Sequence, residues 1–326
     1  MNEILAGVDL GGTKILTVVA NEKGSIMGSC RRDTEVERGE ERIVENICLS
    51  LEAALEDAEV GKDELSAMGV GSPGPLDTRR GIIHETPNLP FVDFPLVDKL
   101  EEKLGLPVHL ENDANAAALG EKNFGAGRDG GDQIYITVST GIGGGIIIDD
   151  EIFHGADDGA GEIGHMIVKQ GGPTCGLGQH RGCLEAMASG TAVAREARRM
   201  TLNGRTPELE KLLAENEIDP EDQEIPGHII AEAARRGDQA VRMIYREMGY
   251  YLGIGVASLI TLFNPDMIIF GGGVMKARDL FWKEMTNSAA DHALPSAREI
   301  CDLVEAELGD RTGVYGAIAA AKTARA

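Results

Sequence analysis

The stretch GGPTCGLGQHRGCLE, residues 171–185, holds two of the chain's five cysteines and one of its seven histidines among glycines. Thiolates and imidazoles are the ligands that zinc prefers, and a closed structural site takes four of them. His165, ten residues before Cys175 in GAGEIGHM (159–166), joins Cys175 and Cys183 as a candidate ligand. The same octapeptide places Glu162 and His165 three apart, side by side if the segment turns helically. Cys30, Cys48 and Cys301 are isolated and read as reduced thiols in a reducing compartment, with no disulfide framework.

A second chemistry is written in glycine turns. In DLGGTK (9–14), Gly11 and Gly12 let the backbone turn tightly and point successive N–H groups at phosphate oxygens. Thr13 adds a hydroxyl, Lys14 a cation, and Asp9 a carboxylate placed to hold the hydration shell of Mg²⁺. A Walker A loop is excluded because GxxxxGK[ST] is absent and a strand follows where a helix should. The device recurs in STGIGGG (139–145) and FGGGV (270–274), as gripping a nucleotide polyphosphate and its adenosine would require.

LENDANAA (110–117) sets Glu111, Asn112 and Asp113 between a strand and an Ala-rich helix. Asn and Asp are favoured helix N-caps. A carboxylate at such a junction can also accept a substrate hydroxyl's proton during phosphoryl transfer.

These residues need a frame, and the pattern supplies one. EILAGVDL (3–10), KILTVVA (14–20) and SIMGSCRR (25–32) are strands separated by short turns, an antiparallel meander. Ile43, Ile47, Leu51 and Leu55 share one face of a helix over 39–57. Residues 65–77 form a strand running into a Gly/Pro loop, and PVHLEN (107–112) is a further strand. DQIYITVSTGIGGGIIIDDEI (132–152) repeats strand, glycine turn, strand, and MIIFGGGV (267–274) adds another strand. A device used twice implies two related α/β lobes facing a cleft. The expected division is 1–112 and 113–311, with a zinc loop at 165–183 and a small-residue helix at about 312–326 packing back on the first lobe. The acidic stretch 203–225 reads as a surface helix with loops and carries no chemistry.

With 31 Lys and Arg against 54 Asp and Glu, the net charge is −23, which repels nucleic acid, anionic lipid and polyphosphate. The N-terminus lacks the layout of a signal peptide, and Ile254–Phe263 is too short to span a bilayer, so a soluble cytoplasmic protein is expected.

In their order, DLGGTK, GSPGPLD, ENDANAA, STGIGGG, GEIGHM, GCLEAMASG and NPDMIIFGGGV resemble the ROK family of sugar kinases and repressors, across essentially the whole chain. The resemblance implies an actin-like ATPase fold of ribonuclease H type, two α/β lobes around a nucleotide and sugar cleft. It implies ATP- and Mg²⁺-dependent phosphorylation of a hexose, with assembly as homodimers or homotetramers. Asp113 would be the general base facing the sugar's primary hydroxyl, with Asn88, Asn112, Glu162, His165 and Glu185 on other hydroxyls. Asp9, Gly11, Gly12, Thr13, Thr140 and Gly141 would surround the phosphates and Mg²⁺, and Gly271 and Gly272 the adenosine.

The family's zinc loop reads C-x-C-G-x-x-G-C-x-E. Here Leu177 stands at its middle cysteine, and one extra residue separates Gly178 from Gly182. His165, Cys175 and Cys183 remain, and His180, displaced by the insertion, would supply the fourth ligand of a structural zinc. GSPGPLD, TPNLP and GCLEAMASG look most like the bacterial glucokinase branch, which implies glucose as acceptor. Kinases for N-acetylmannosamine, N-acetylglucosamine or fructose are the alternatives, with a non-catalytic sugar-sensing regulator behind them. Only eight residues precede Asp9, which leaves no room for the helix-turn-helix of the family's repressors.

Overall fold

The structure, a computed structural model, describes residues 3–86, 88–176, 178 and 180–322. Strands β1 (Ile4–Leu10), β2 (Lys14–Asn21), β3 (Ile26–Asp33) and β4 (Leu65–Ser72) come first, with helix α1 (Glu40–Ala58) between β3 and β4. The small hairpin of β5 (Leu76–Asp77) and β6 (Ile82–Ile83) precedes helix α2 (Leu96–Leu104). Strand β7 (Val108–Asn112) then runs directly into α3 (Asp113–Phe124). These strands form a five-stranded sheet of order β3–β2–β1–β4–β7, antiparallel through the meander and parallel between β1, β4 and β7.

The next strands are β8 (Gln133–Val138), β9 (Ile142–Ile148), β10 (Glu151–Ile152), β11 (Met267–Gly271) and β12 (Asp302–Glu305). Their sheet has the order β10–β9–β8–β11–β12. Each sheet therefore places its third, second, first, fourth and fifth strands in that sequence. The helices that follow β10 are α4 (Leu184–Ala188), α5 (Gly190–Thr201), α6 (Pro207–Glu215) and α7 (Gly227–Arg236). The 25-residue α8 (Gln239–Phe263), α9 (Arg278–His292), α10 (Pro295–Ile300) and α11 (Thr312–Ala321) complete the chain.

The chain divides into two compact units, 1–135 with 145–161 and 305–326, and 136–144 with 162–304. Helix α3, which the sequence reading set at the start of the second lobe, packs along α11, and α11 lies on β1 and β4. In the first unit, Val8, Leu10, Ile15, Ile43, Ile47, Leu51 and Met68 are sealed in one core. The stripe expected on α1 is the face that fills it, its turns spaced so that one side meets the sheet. The last residues of the expected C-terminal helix, 323–326, lie outside the described residues.

In the second unit α8 packs on α9 through Gly249 and Gly253, whose missing side chains admit the backbone at Phe281 and Met285. The short α4 also lies on α8, with Leu184 against Gly255. α6 occupies part of the acidic stretch expected to hold a surface helix, yet Leu209, Leu212 and Leu213 are buried beneath it. No described helix is long and apolar enough to cross a membrane.

Candidate active site

In the first unit three parallel strands end together. Asp9 on β1 is level with Gly71 on β4, which is level with Glu111 on β7. Asp9, the end of β4 at Ser72 and the Asn112–Asp113 junction therefore emerge at one edge, the carboxyl end where open α/β sheets bind ligands. Burial pushes the Asp9 carboxyl up from its ordinary range, with Arg31 opposing. Among the described residues no hydrogen bond or ion pair engages that carboxylate.

The DLGGTK turn is held at both ends. Gly11 N–H donates to the Lys14 carbonyl at 3.0 Å, Thr34 N–H to the Thr13 carbonyl at 2.9 Å, and the Thr34 hydroxyl to the Gly11 carbonyl at 2.7 Å. Asn88, exposed in its loop, covers Gly12 so closely that a Cβ there would lie 2.7 Å from the Asn88 carbonyl oxygen. Lys14 faces solvent and pairs with Asp33 at 3.8 Å. Pro87, which precedes Asn88 in TPNLP, is outside the described residues.

Asn112 is the N-cap of α3: its side-chain oxygen accepts from Ala114 N–H at 2.9 Å and Asn115 N–H at 3.3 Å. Asp113 is the first helical residue and also accepts from Ala114 N–H, at 2.8 Å. Capping thus falls to Asn112, and Asp113 stands at the helix N-terminus, where the backbone dipole favours an ionised carboxylate.

In the second unit a hairpin gathers the predicted metal ligands. Thr174 bridges Arg181, and Cys175 N–H donates to the His180 carbonyl at 2.9 Å, which sets Cys175 beside His180. Ile167 bridges Cys183, which brings the end of the loop back to the 3-10 turn Ile163–His165. The ligand atoms of His165, Cys175, His180 and Cys183 all lie within 4.8 Å of one another. Cys175 Sγ is 3.4 Å from His165 Nδ1, and the two imidazoles meet edge to face at 5.5 Å. His180 Nε2 is buried without a hydrogen-bond partner among the described residues. Burial raises the Cys183 thiol's pKa, Ala186 N–H lowers it, and the adjoining Cys175 raises it further. Leu177, at the family's cysteine position, lies outside the described residues.

His165 turns its other nitrogen, Nε2, toward Glu162 at 3.9 Å. Glu185, in the first turn of α4, accepts the Ile142 N–H at 3.0 Å through one carboxylate oxygen. A Cβ on Gly141 would collide with that oxygen, so glycine is what lets the STGIGGG turn sit against Glu185. Ser139 and Thr140 also accept backbone bonds from Gly190 and Thr191, at 2.8 and 3.2 Å.

Thr140 lines a cavity of about 770 Å³ together with Ser139, Gly190, Thr191, Pro226, His228 and Gly273. Gly271 ends β11 and Gly272, at φ 92°, lies against the Val138 backbone; the lining begins one residue later. Residues from α5 and α7 escaped the sequence reading. Their amphipathic spacing looks like ordinary packing, and no motif marks them. Glu224 and Ile225, from the stretch given no chemistry, line the cavity as well.

The model of the ROK family matches residues 5–324. The chain belongs to the ROK family. A glucokinase from Thermotoga maritima is 37% identical to this ROK protein over 96% of the chain and 95% of its own length. A ROK hexokinase structure from Thermus thermophilus superimposes with TM-score 0.84 at 35% identity, covering 98% of each chain. A ROK glucokinase from Streptomyces griseus, solved with glucose and AMPPNP, gives TM-score 0.81 at 37% identity, covering 98% of this chain and 99% of that one. The fold is the actin-like ATPase fold.

Proposed function

We propose that the protein transfers the γ-phosphoryl group of ATP to the 6-hydroxyl of glucose, giving glucose 6-phosphate and ADP. The observation that carries this reading is the Asn112–Asp113 junction, a capped helix start with its carboxylate at the sheet's carboxyl edge. It stands in a chain similar to curated glucokinases along almost its full length. Asp113 is the base that takes the 6-hydroxyl's proton as oxygen attacks phosphorus. Because the transition state is loose, most of the catalysis is positioning and charge neutralisation, and the proton moves late.

Asn88, Asn112, Glu162, His165 and Glu185 hold the other hydroxyls; amides, carboxylates and imidazole can each donate or accept as a sugar requires. Glu185 has one oxygen engaged by Ile142, which fixes its rotamer and leaves the second for the sugar. Thr140 and the cavity beside it fit the nucleoside end of ATP, while Gly11, Gly12, Thr13, Lys14 and Gly141 border the phosphates, and Gly271 and Gly272 support the adenosine.

The lone buried carboxylate of Asp9 suits a hydrated Mg²⁺, which would neutralise phosphate charge when bound. Two thiols and two imidazoles, one of them His180 with its orphaned nitrogen, suit zinc, whose bonds run about 2.0–2.3 Å. A zinc held there would be structural, fixing the hairpin so that His165 and Glu185 keep their places. All five cysteines are free, in keeping with a reducing cytoplasm. Assembly as a homodimer or homotetramer belongs to the same reading, with Met243 and Leu262 exposed on α8.

A coupled ADP-release assay over glucose, mannose, fructose, N-acetylglucosamine and N-acetylmannosamine tests the proposal. Glucose is expected to give the highest kcat/KM. A preference for an N-acetylhexosamine or for fructose would overturn it.

A further inference from the structure

Glu111 precedes the Asn112–Asp113 junction by one residue, and its side chain is only 2% exposed. Its two oxygens do different things. Oε1 accepts the Asn112 backbone N–H at 2.9 Å and the Asn115 side-chain amide at 3.1 Å. One oxygen thus fastens the residue before Asp113 and a residue in the first turn after it. Asn112 closes the same frame from its own side by capping Ala114 and Asn115. Oε2 meets His154 Nε2 at 2.9 Å, with His109 Nε2 farther off at 3.7 Å. His154 follows β10 and belongs to the same compact unit.

We propose that Glu111 and His154 form an ion-paired positioning device that holds Asp113 in place and sets the pH at which it ionises. The inference rests on the reading of Asp113 as the base. A carboxylate this buried would ordinarily take up a proton. Burial does push Glu111 up, but His109, His154 and Asn115 outweigh it and bring its pKa down to about 2. Glu111 in turn raises His154, with burial and Arg79 opposing and Asp158 assisting. Both shifts favour a Glu111 carboxylate facing a protonated His154. A fixed negative charge two residues from Asp113 disfavours a second one there. The imidazolium cancels it, so the frame's hydrogen bonds are kept without its like-charge penalty.

The two halves of the pair then have opposite signatures. His154→Gln leaves the Glu111 charge uncompensated, which raises the Asp113 pKa. The acid limb of the kcat profile moves to higher pH by about half a unit. Glu111→Gln removes the negative charge and moves that limb to lower pH. Each variant also loses about tenfold in kcat near neutrality, with KM for ATP unchanged, because the reacting oxygen is misplaced.

The experiment is kcat and KM for glucose and ATP between pH 5 and 9 in the wild type, His154→Gln, Glu111→Gln and Asp113→Asn. Opposite displacements of the acid limb support the device. Limbs that stay with the wild type, or move together, overturn it, since a merely structural pair lowers activity without moving the limb. If Glu111→Gln does not fold, the direction of the limb in His154→Gln, a more exposed position, decides alone. Near-normal turnover in Asp113→Asn would instead sink the base assignment, which separates the two failures.

Discussion

Asp113 and Glu185 are held by opposite means. Asp113 is framed by polar contacts of its neighbours: the Asn112 cap, the Glu111 carboxylate and the His154 imidazole behind it. Around Glu185 the nearest restraint is one backbone N–H, and behind it stands a hairpin that gathers two thiols and two imidazoles. A frame of hydrogen bonds is built by the strand-to-helix junction itself, so the residues that make it are close in sequence. A glycine-rich loop has no such junction and little apolar surface to bury. It needs a cross-link, and converging soft ligands provide one where a metal can fill them. The first frame is exposed to protonation, the second to chelation.

The comparison breaks hardest at Asp113. Asp113→Ala should lower kcat by at least about 100-fold, the low end of what a positioned base supplies, with an unchanged far-ultraviolet circular dichroism spectrum. Near-normal turnover would remove the base from this site.

Metal content sharpens the other side. Protein purified without a His-tag should carry about one zinc per chain, and Cys175→Ser or Cys183→Ser should lose it with a fall in Tm of roughly 5 °C. His180→Ala should weaken zinc binding at least tenfold, on the order of what removing a supporting ligand costs, while His180→Cys should keep it. Sub-stoichiometric zinc in the wild type would mean that packing alone holds the loop.

The smallest effect is in acid. Glu111 is depressed from 4.5 to about 2, so its contribution to stability is fully present above about pH 4.5 and lost as pH falls toward 2. Chemical denaturation at pH 6, 4 and 3 should show the wild type losing about 2 kcal/mol more than Glu111→Gln between the first and last of these. Equal losses would show that the carboxylate is not held ionised. His154 acts in the reverse sense: its raised pKa adds stability below about 6.5 that fades as pH rises through the folded value.

Much of both frames was legible from residue order. DLGGTK lies between β1 and β2, ENDANAA spans β7 and α3, and STGIGGG joins β8 to β9. Glycine turns and caps are local, and local chemistry dictates them. The Cys/His set was legible for a related reason, since its members fall within nineteen residues, from His165 to Cys183. The cavity was legible only at its glycine turns, because Thr191 and His228 come from separate elements and share no pattern. His154 gave no signal either: 43 residues separate it from Glu111, and only the folded chain closes that distance.

By itself the sequence determined the strand–turn–strand device and its repetition, the cap at Asn112, the carboxylate after it and the ligand types of the loop. Those follow from backbone freedom, side-chain donors and spacing, which act within a few residues. Tertiary structure decided that Glu111 is ionised in a buried site, that His180 faces Cys175, and that α3 lies against α11. Burial and charge pairing are properties of neighbours in space, and the chain order does not carry them.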